Sequence, residues 1–394
     1  MKWKTLKLGD LYTTNKETVD PSGYLGETFH LYSVPAYDSK VPEELPGEAI
    51  GSVKQVVSHN DVLLCRIVPH IRRAWVVGKN DGHRLIASGE WIVMRHKNIH
   101  PEYLRHFLLS NEFHSQFMMS VAGVGGSLLR ARPGAAADIE VPFPPMEEQR
   151  RIAAILDKAD ALRRKRRTAL QKLDSLTQSI FLDMFGDPVA NDFSFPVVSV
   201  SNFVSQFETG KSIAPNEDED AASPFRVLKV SAVTSHDYRP EESKPIPEGY
   251  LPPESHFVRS GDLLFSRANT SNLIGATAYV AHAEKNRLLP DKIWRFIWRD
   301  AAKIEPLFVW FLFRQPSIRR AIAQLATGTS GSMKNISQEK VLGIRVGLPS
   351  LAKQKRFAGA VSLWMQSREK MCCSMTMSDE NFASLQHRAF RGEL

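Results

Sequence analysis

Cysteine is scarce in this chain of 394 residues, and the three present, Cys65, Cys372 and Cys373, supply no even-numbered disulfide framework. Two are adjacent in a stretch that reads as helix, a poor geometry for bridging each other. Neither a Cys-x-x-Cys pair nor a His/Cys group with ligand spacing occurs, so no metal site is expected. No apolar stretch approaches the roughly 20 residues needed to cross a bilayer, and Met1-Lys2-Trp3-Lys4 leads into mixed sequence instead of a signal-peptide core. These absences predict a cytoplasmic protein in a reducing compartment that makes no contact with a membrane.

The length exceeds what one ordinary core accommodates, and a 43% hydrophobic content suffices for two or more. Lys and Arg outnumber Asp and Glu by 51 to 43, a formal charge of +8 that favours partners with anionic surfaces such as nucleic acid or acidic lipid. The most informative feature is an internal repeat. At an offset of 205, Pro101 falls on Pro306, Gly123 on Gly328, Gly126-Ser127 on Gly331-Ser332, Ile139 on Ile344, Val141 on Val346, Pro144 on Pro349 and Gln149 on Gln354. Arg151, Ala153 and Arg163 fall on Arg356, Ala358 and Arg368 without a gap. At slightly smaller offsets Asn60-Asp61-Val62-Leu63-Leu64 resembles Gly261-Asp262-Leu263-Leu264-Phe265, and Leu6-Lys7-Leu8 resembles Val198-Ser199-Val200.

Each half runs in the same order: a mixed region of short apolar runs, an apolar helix, a Gly/Ser loop, a short strand, a Pro and a long helix. Strands are expected at 61–67 and 262–266. Helices are expected after Pro101 and Pro306, burying Tyr103, Leu104, Phe107 and Leu108 in one and Phe308, Val309, Leu312 and Phe313 in the other. Between Gln149 and Asp183, Ile152, Ile155, Ala159, Leu162, Ala169, Leu173, Leu176 and Ile180 recur at three- and four-residue steps, which predicts a coiled-coil seam interrupted by Arg166. A weaker seam runs through Phe357, Val361, Trp364, Met371, Met375, Phe382, Leu385 and Ala389. Two such helices bury each other's stripes, and Phe185-Gly186-Asp187-Pro188 ends the first of them. The predicted fold class is α+β, two pseudo-symmetric globular domains separated by two long helices packed as an antiparallel coiled coil. The boundaries are 1–145 and 191–348 for the domains, 146–190 and 349–394 for the helical spacers.

Four strings carry a resemblance: Pro-Pro-Met-Glu-Glu-Gln-Arg-Arg-Ile-Ala-Ala-Ile-Leu at 144–156, Gly-Asp-Leu-Leu-Phe-Ser-Arg at 261–267, Thr-Gly-Thr-Ser-Gly-Ser-Met-Lys-Asn-Ile-Ser at 327–337, and the terminal Ala-Phe-Arg-Gly-Glu-Leu. Together, and in this order, the chain resembles the specificity subunit of Type I restriction-modification enzymes over essentially its whole length. The resemblance implies two target-recognition domains, each reading one half of a split, asymmetric site in double-stranded DNA, with the spacer helices fixing the unread gap. It implies no active site and no cofactor on this chain. Two modification subunits that bind S-adenosylmethionine and methylate adenine, and restriction subunits that use ATP and Mg, are the implied partners. The second copy departs from the pattern, with Pro-Ser-Leu-Ala-Lys-Gln where the first has Pro-Pro-Met-Glu-Glu-Gln.

Direct readout of bases needs side chains with paired donors and acceptors on loops that can enter a groove. Candidates in the first domain are Arg66, Arg72, Arg73, Lys79 and Arg84, set around Trp75, and in the second Lys211, Lys229, Arg267, Asn269, Thr270, Lys292 and Lys334. Glu147, Glu148, Gln149 and Gln354 are candidates for docking a partner. The Gly/Ser loops at 123–127 and 328–332 read either as DNA-backbone contacts or as plain turns, since neither has P-loop spacing. The run Arg163-Arg164-Lys165-Arg166-Arg167 reads as a solvated or partner-facing surface or as a backbone contact. For catalysis, the Pro-Pro pairs at 144–145 and 252–253 do not fit the Asn-Pro-Pro-Tyr pattern that holds a flipped base. A metal-nuclease set drawn from Asp237, Glu242 and Lys244 would lie in a loop-like, proline-rich stretch. The alternatives to a DNA reader are a recognition module of a fused restriction-methylation enzyme and a scaffold that binds protein only.

Overall fold

The computed structural model describes residues 3–14, 16–122, 129–213, 224–328 and 333–394. The chain divides into two compact units, Met1–Thr168 with Met371–Leu394, and Ala169–Lys370. Two long helices, Met146–Phe185 and Leu351–Arg391, each contribute one part to the first unit and another to the second. Both units mix helix and strand. Among the described residues no helix is long and apolar enough to cross a membrane.

In the first unit, Lys4–Lys7 pairs antiparallel with Glu140–Phe143. A five-stranded sheet has the order Thr18–Val19, Lys54–Val56, Arg84–Ala87, Thr28–Tyr32, Glu43–Pro46, and a three-stranded sheet has Val62–Cys65 between Ala74–Val76 and Trp91–Met94. Val62–Cys65 is buried throughout, which is why it reads as a continuous apolar run and not as an alternation. Pro101 opens the helix Pro101–Leu108, where its missing N–H costs nothing. Its Tyr103 and Phe107 meet the ring of Phe390 edge-on, with centroids 5.5 and 5.2 Å apart.

The second unit repeats this frame. Val197–Ser199 pairs antiparallel with Arg345–Gly347, and a four-stranded sheet runs Val204–Thr209, Ile293–Trp298, Leu263–Ser266, Thr277–Tyr279. Pro306 opens the helix Pro306–Arg314, whose Phe308 and Phe311 pack with Phe181, Phe185 and Phe357 from the long helices. The first long helix ends at Phe185 because Gly186 takes φ +63° and returns its N–H to the Leu182 carbonyl at 2.8 Å.

The Asn60-Asp61 and Gly261-Asp262 strings form the same turn. Asn60 and Gly261 hold φ of +71° and +91°, and the following carboxylates accept from Ser58 N and Arg259 N, both at 2.8 Å. Each carboxylate then binds an arginine from a neighbouring segment: Asp61 takes Arg95 through two bonds of 2.6 and 2.7 Å, and Asp262 takes Arg295 at 3.0 Å. The string quoted from 261–267 is thus, in its first half, a turn that pins the entry to a buried strand.

The heptad seams hold only in part. Within the first unit the buried apolar positions of the long helix Met146–Phe185 are Ile152, Ala153 and Leu156, packed with Phe382, Ala389 and Phe390 on the domain core, whereas Leu162 is 50% exposed. In the second, Phe181 and Phe185 are buried and Leu176 is 55% exposed. The physical reason is that the ends of both helices face a globular core as well as another helix. Their apolar stripe is therefore wider than an a/d seam and turned away from it.

Candidate nucleic-acid interface

In the second unit the strand pair Arg226–Leu228 and Ser243–Pro245, together with residues 290–292, lines a groove of about 250 Å³ that gathers Lys229, Lys244 and Lys292 around Asp291. Lys229 lies just beyond its strand and is exposed, and its backbone N–H is held by the Glu242 carbonyl at 2.8 Å. Arg267 touches the same place: Nε donates to the Asp291 carbonyl at 2.8 Å, and the guanidinium lies 6.0 Å from the Trp294 ring centre. Its backbone links two groups of candidates, since Arg267 N–H binds the Lys292 carbonyl and the Arg267 carbonyl accepts from Ile336 N, both at 3.1 Å.

The second group is Asn269, Thr270 and Lys334. Asn269 pairs with Lys334 in a short antiparallel ladder, its Oδ1 accepts from Thr270 N at 2.8 Å, and Lys334 Nζ donates to the Gly328 carbonyl at 3.1 Å. Lys211 stands exposed, 5.8 Å from the Tyr250 ring centre. The rest of the 328–332 loop and all of the 123–127 loop lie outside the described residues. Lys244, which the sequence singles out only within a nuclease-like set that its loop-like setting argues against, lines this groove; Asp237 pairs with Arg368 at 2.7 Å, and Glu242 accepts from Ser231 Oγ at 2.7 Å.

Three of the first-unit candidates, Arg66, Arg84 and Arg72, are held by intramolecular partners. Arg66 lies 3.3 Å from Glu90, which Arg130 also grips at 3.1 Å. Arg84 pairs with Glu27 at 3.1 Å and stacks 4.4 Å from the Tyr24 ring centre. Arg72 donates to Asn111 Oδ1 at 2.6 Å. Arg73 is half-buried and Lys79 is exposed. Trp75 is no stacking platform, because it is buried edge-on among Tyr32, Tyr37 and Trp91. Sequence reading missed a wide groove of about 970 Å³ in this unit, lined by His59, Arg95, His96, Lys97, His100 and Arg150. The available signal was the basic run Arg95-His96-Lys97; burial holds the His100 imidazole below its ordinary value.

Among the docking candidates, Glu147 is exposed and Glu148 is paired to Arg151 through two bonds of 2.7 and 2.6 Å. Gln149 and Gln354 need a correction, since they are 0% and 1% exposed and offer no surface to a partner. Gln149 Oε1 accepts from His100 N at 2.7 Å while Nε2 donates to the carbonyls of Pro144 at 2.9 Å and Asn98 at 3.1 Å. Gln354 does the same in the second unit, accepting from Glu305 N at 3.1 Å and donating to the Pro349 carbonyl at 2.8 Å. Each amide ties the strand-to-helix corner of the long helix to the start of the short helix.

The arginine run also has a use that its sequence did not suggest. Arg163 Nε donates to Asp379 at 2.6 Å, Arg167 reaches the same carboxylate at 3.2 Å, and Arg166 bonds Ser378. With Arg151 on the Leu394 carbonyl at 3.0 Å, these contacts show the two helical segments of the first unit running in opposite senses. In the second, Asp174 receives Trp364 Nε1 at 3.2 Å and Arg368 Nε at 3.1 Å, and Phe181 meets Phe357, again in opposite senses.

The chain mixes helix and strand, builds the same strand-to-helix corner twice, and carries grooves lined by basic side chains. The family model described as the Type I restriction modification DNA specificity domain matches residues 1–172. The chain is 27% identical over 185 residues to the Type I restriction enzyme EcoEI specificity subunit of Escherichia coli, covering 44% of this chain and 30% of that protein. It is 25% identical over 319 residues to the EcoKI specificity subunit of Escherichia coli K12, covering 76% and 66%. The MjaVIII specificity subunit of Methanocaldococcus jannaschii is 24% identical over 56% of this chain and 54% of its own length. The chain thus spans between about a third and two thirds of these curated relatives. In fold it is similar to a chain from a structure of a type I R-M system (TM-score 0.58, 18% identity, 100% and 98% covered) and to the S subunit of the Type-I restriction-modification system of M. genitalium (TM-score 0.57, 11% identity, 98% and 96% covered). Residues 1–172 thus match the specificity-domain family, and the chain as a whole is similar to Type I restriction-modification specificity subunits.

Proposed function

We propose that this chain reads a bipartite, asymmetric site in double-stranded DNA and positions two adenine-methylating modification subunits and the restriction subunits on it, without an active site of its own. In this reading residues 1–145 and 191–348 are the two target-recognition domains, and residues 146–190 and 349–394 form an antiparallel coiled coil that sets the gap between half-sites. The single observation that carries it is the gathering of Lys229, Lys244 and Lys292, with Arg267 behind them, in one groove of the second unit. Three cations on one surface suit a polyanion, and most of their contacts go to phosphate, which sets register and leaves sequence to base-edge contacts. The similarity to specificity subunits supplies the rest of the reading, including S-adenosylmethionine and ATP on the partners.

Arg267 anchors and orients this surface, and it leads directly into the two-residue strand Ala268–Asn269, with Thr270 just beyond. Cytoplasmic residence belongs to the same reading. The test is a mobility-shift titration of the assembled methyltransferase on its DNA at rising salt, using the native chain and a Lys229→Ala/Lys244→Ala/Lys292→Ala variant. Each lysine that meets a phosphate contributes about one unit to the slope of log affinity against log salt. The slope of the variant is expected to fall by about two to three units. An unchanged slope would remove the groove from the DNA interface.

A further inference from the structure

We propose that His30, Asp81 and His83, with Glu44 as a fourth donor, form a zinc site in the first unit. One ligand atom from each of His30, Asp81 and His83 lies within 4.8 Å of the other two. His30 Nδ1 is 3.6 Å from Asp81 Oδ1, His83 Nε2 is 4.0 Å from Glu44 Oε1, and the two imidazole centres are 4.9 Å apart. A tetrahedral zinc ion with bonds of about 2.0–2.1 Å places its donors about 3.3 Å apart. The His30–Asp81 pair is already near that spacing, and the other donor pairs of the triad must close by up to about 1.5 Å.

The backbone builds this cluster from two paired strands and the turn that leads into a third. Glu44 stands opposite His30 in the antiparallel ladder Thr28–Tyr32 with Glu43–Pro46, and directly paired residues point to the same face. On the other side Arg84–Ala87 runs parallel to Thr28–Tyr32, with Phe29 beside Arg84, which delivers His83 to the His30 end of the sheet. Gly82 separates Asp81 from His83 at φ +111°, a conformation that an L side chain rarely adopts, and its N–H is capped by Asn80 Oδ1 at 2.8 Å. That turn brings both flanking side chains to one ion. His30 is the inner wall, its side chain 13% exposed, and the other three are reachable from solvent.

Donor chemistry selects the ion. Two imidazoles and two carboxylates suit zinc and its borderline neighbours, whereas calcium and magnesium require oxygen cages. Two carboxylates also neutralise the charge of a divalent ion. Four protein donors leave no open position, so the role is structural: the ion would fasten the 79–84 segment, which carries Lys79 and Arg84, to the sheet. Spacing along the chain could not reveal this site, because His30 and Asp81 meet only through the parallel pairing of distant strands.

The test uses the untagged full chain, stripped with a chelator, titrated with Zn²⁺ by calorimetry and with Co²⁺ by visible absorption. The expected result is one tight equivalent, with Co²⁺ absorption of tetrahedral intensity, and a rise in melting temperature on adding zinc. His83→Ala, His83→Gln and Asp81→Asn should each weaken binding by at least about tenfold, the loss already found for groups that merely support a ligand. A His59→Ala/His96→Ala variant, which alters the histidine-lined groove of the same unit, should bind as the native chain does. Absence of the equivalent, its survival in the His83 and Asp81 variants, or its loss in the groove variant would each overturn the proposal.

Discussion

Arg163 Nε lies 2.6 Å from Asp379 Oδ1, and the same guanidinium stacks 4.3 Å from the Phe382 ring centre. Against the upward push of burial, Arg163 and Arg167 hold the Asp379 carboxyl below its ordinary value. Stability from this contact is therefore present above the unfolded carboxyl value near 4 and is lost as pH falls through the lower folded value. Arg163→Ala is expected to destabilise the chain by about 1 kcal/mol, because the pair is part-exposed and the ring contact adds modestly. Urea unfolding measures this, and the salt slope of DNA binding should stay unchanged. A reduced slope at native stability would return Arg163 to the DNA surface.

Removing the buried amides should separate the two corners. Gln149→Ala strands the N–H of His100 and two carbonyls, whereas Gln354→Ala strands the Glu305 N–H and the Pro349 carbonyl. With about 1–3 kcal/mol for each buried group left unpaired, both variants lose stability, and the first loses more. Denaturant midpoints check the order. Partner affinity measured well below the melting temperature should be unaffected by either change.

Arg295 is 5% exposed and spends all of its donors: on Glu208, on Asp262 and on the carbonyls of Phe257 and Ser255. Burial pushes the Asp262 carboxyl up even with this arginine beside it. Arg295→Met should cost about 3–5 kcal/mol, since it leaves a buried carboxylate without its cation. Adding Asp262→Asn should recover part of that loss. Strict additivity in the double-mutant cycle would contradict the coupling.

His236 supplies a pH signature for the second unit. Burial, then the charges of Arg314 and Arg319, drive its imidazole down to about 4. The unfolded chain protonates near 6.5, so between these values it binds a proton that the native state excludes. Stability attributable to this group is complete above about pH 6.5 and falls towards pH 4. His236→Asn, which tolerates the positive φ of 64° at this position, should flatten that part of the urea-midpoint profile.

The repeat was legible because it rests on local rules. Pro at a helix start, Gly after a helix end and a buried strand behind an Asp turn are written in neighbouring residues, and these elements occur where the pattern puts them. What escaped depends on contacts between distant segments. Gln149 and Gln354 read as surface polar residues until the carbonyls of Pro144 and Pro349 are found beneath them. The run at 163–167 reads as free charge until Asp379 faces it, and Leu162 loses its place in the seam because the stripe turns towards a globular core. Lys229, Lys244 and Lys292 are dispersed along the chain, and only the strand pairing gathers them.

The most direct measurement is methylome sequencing of a host that expresses this chain with its modification partner, first native and then carrying Lys229→Ala/Lys244→Ala/Lys292→Ala. The native chain should yield methylated adenines in a split motif with an unread gap of fixed length. The variant should relax or weaken one half while the other half and the gap stay as they were. A contiguous motif, or equal loss at both halves, would contradict two independent reading heads in one chain.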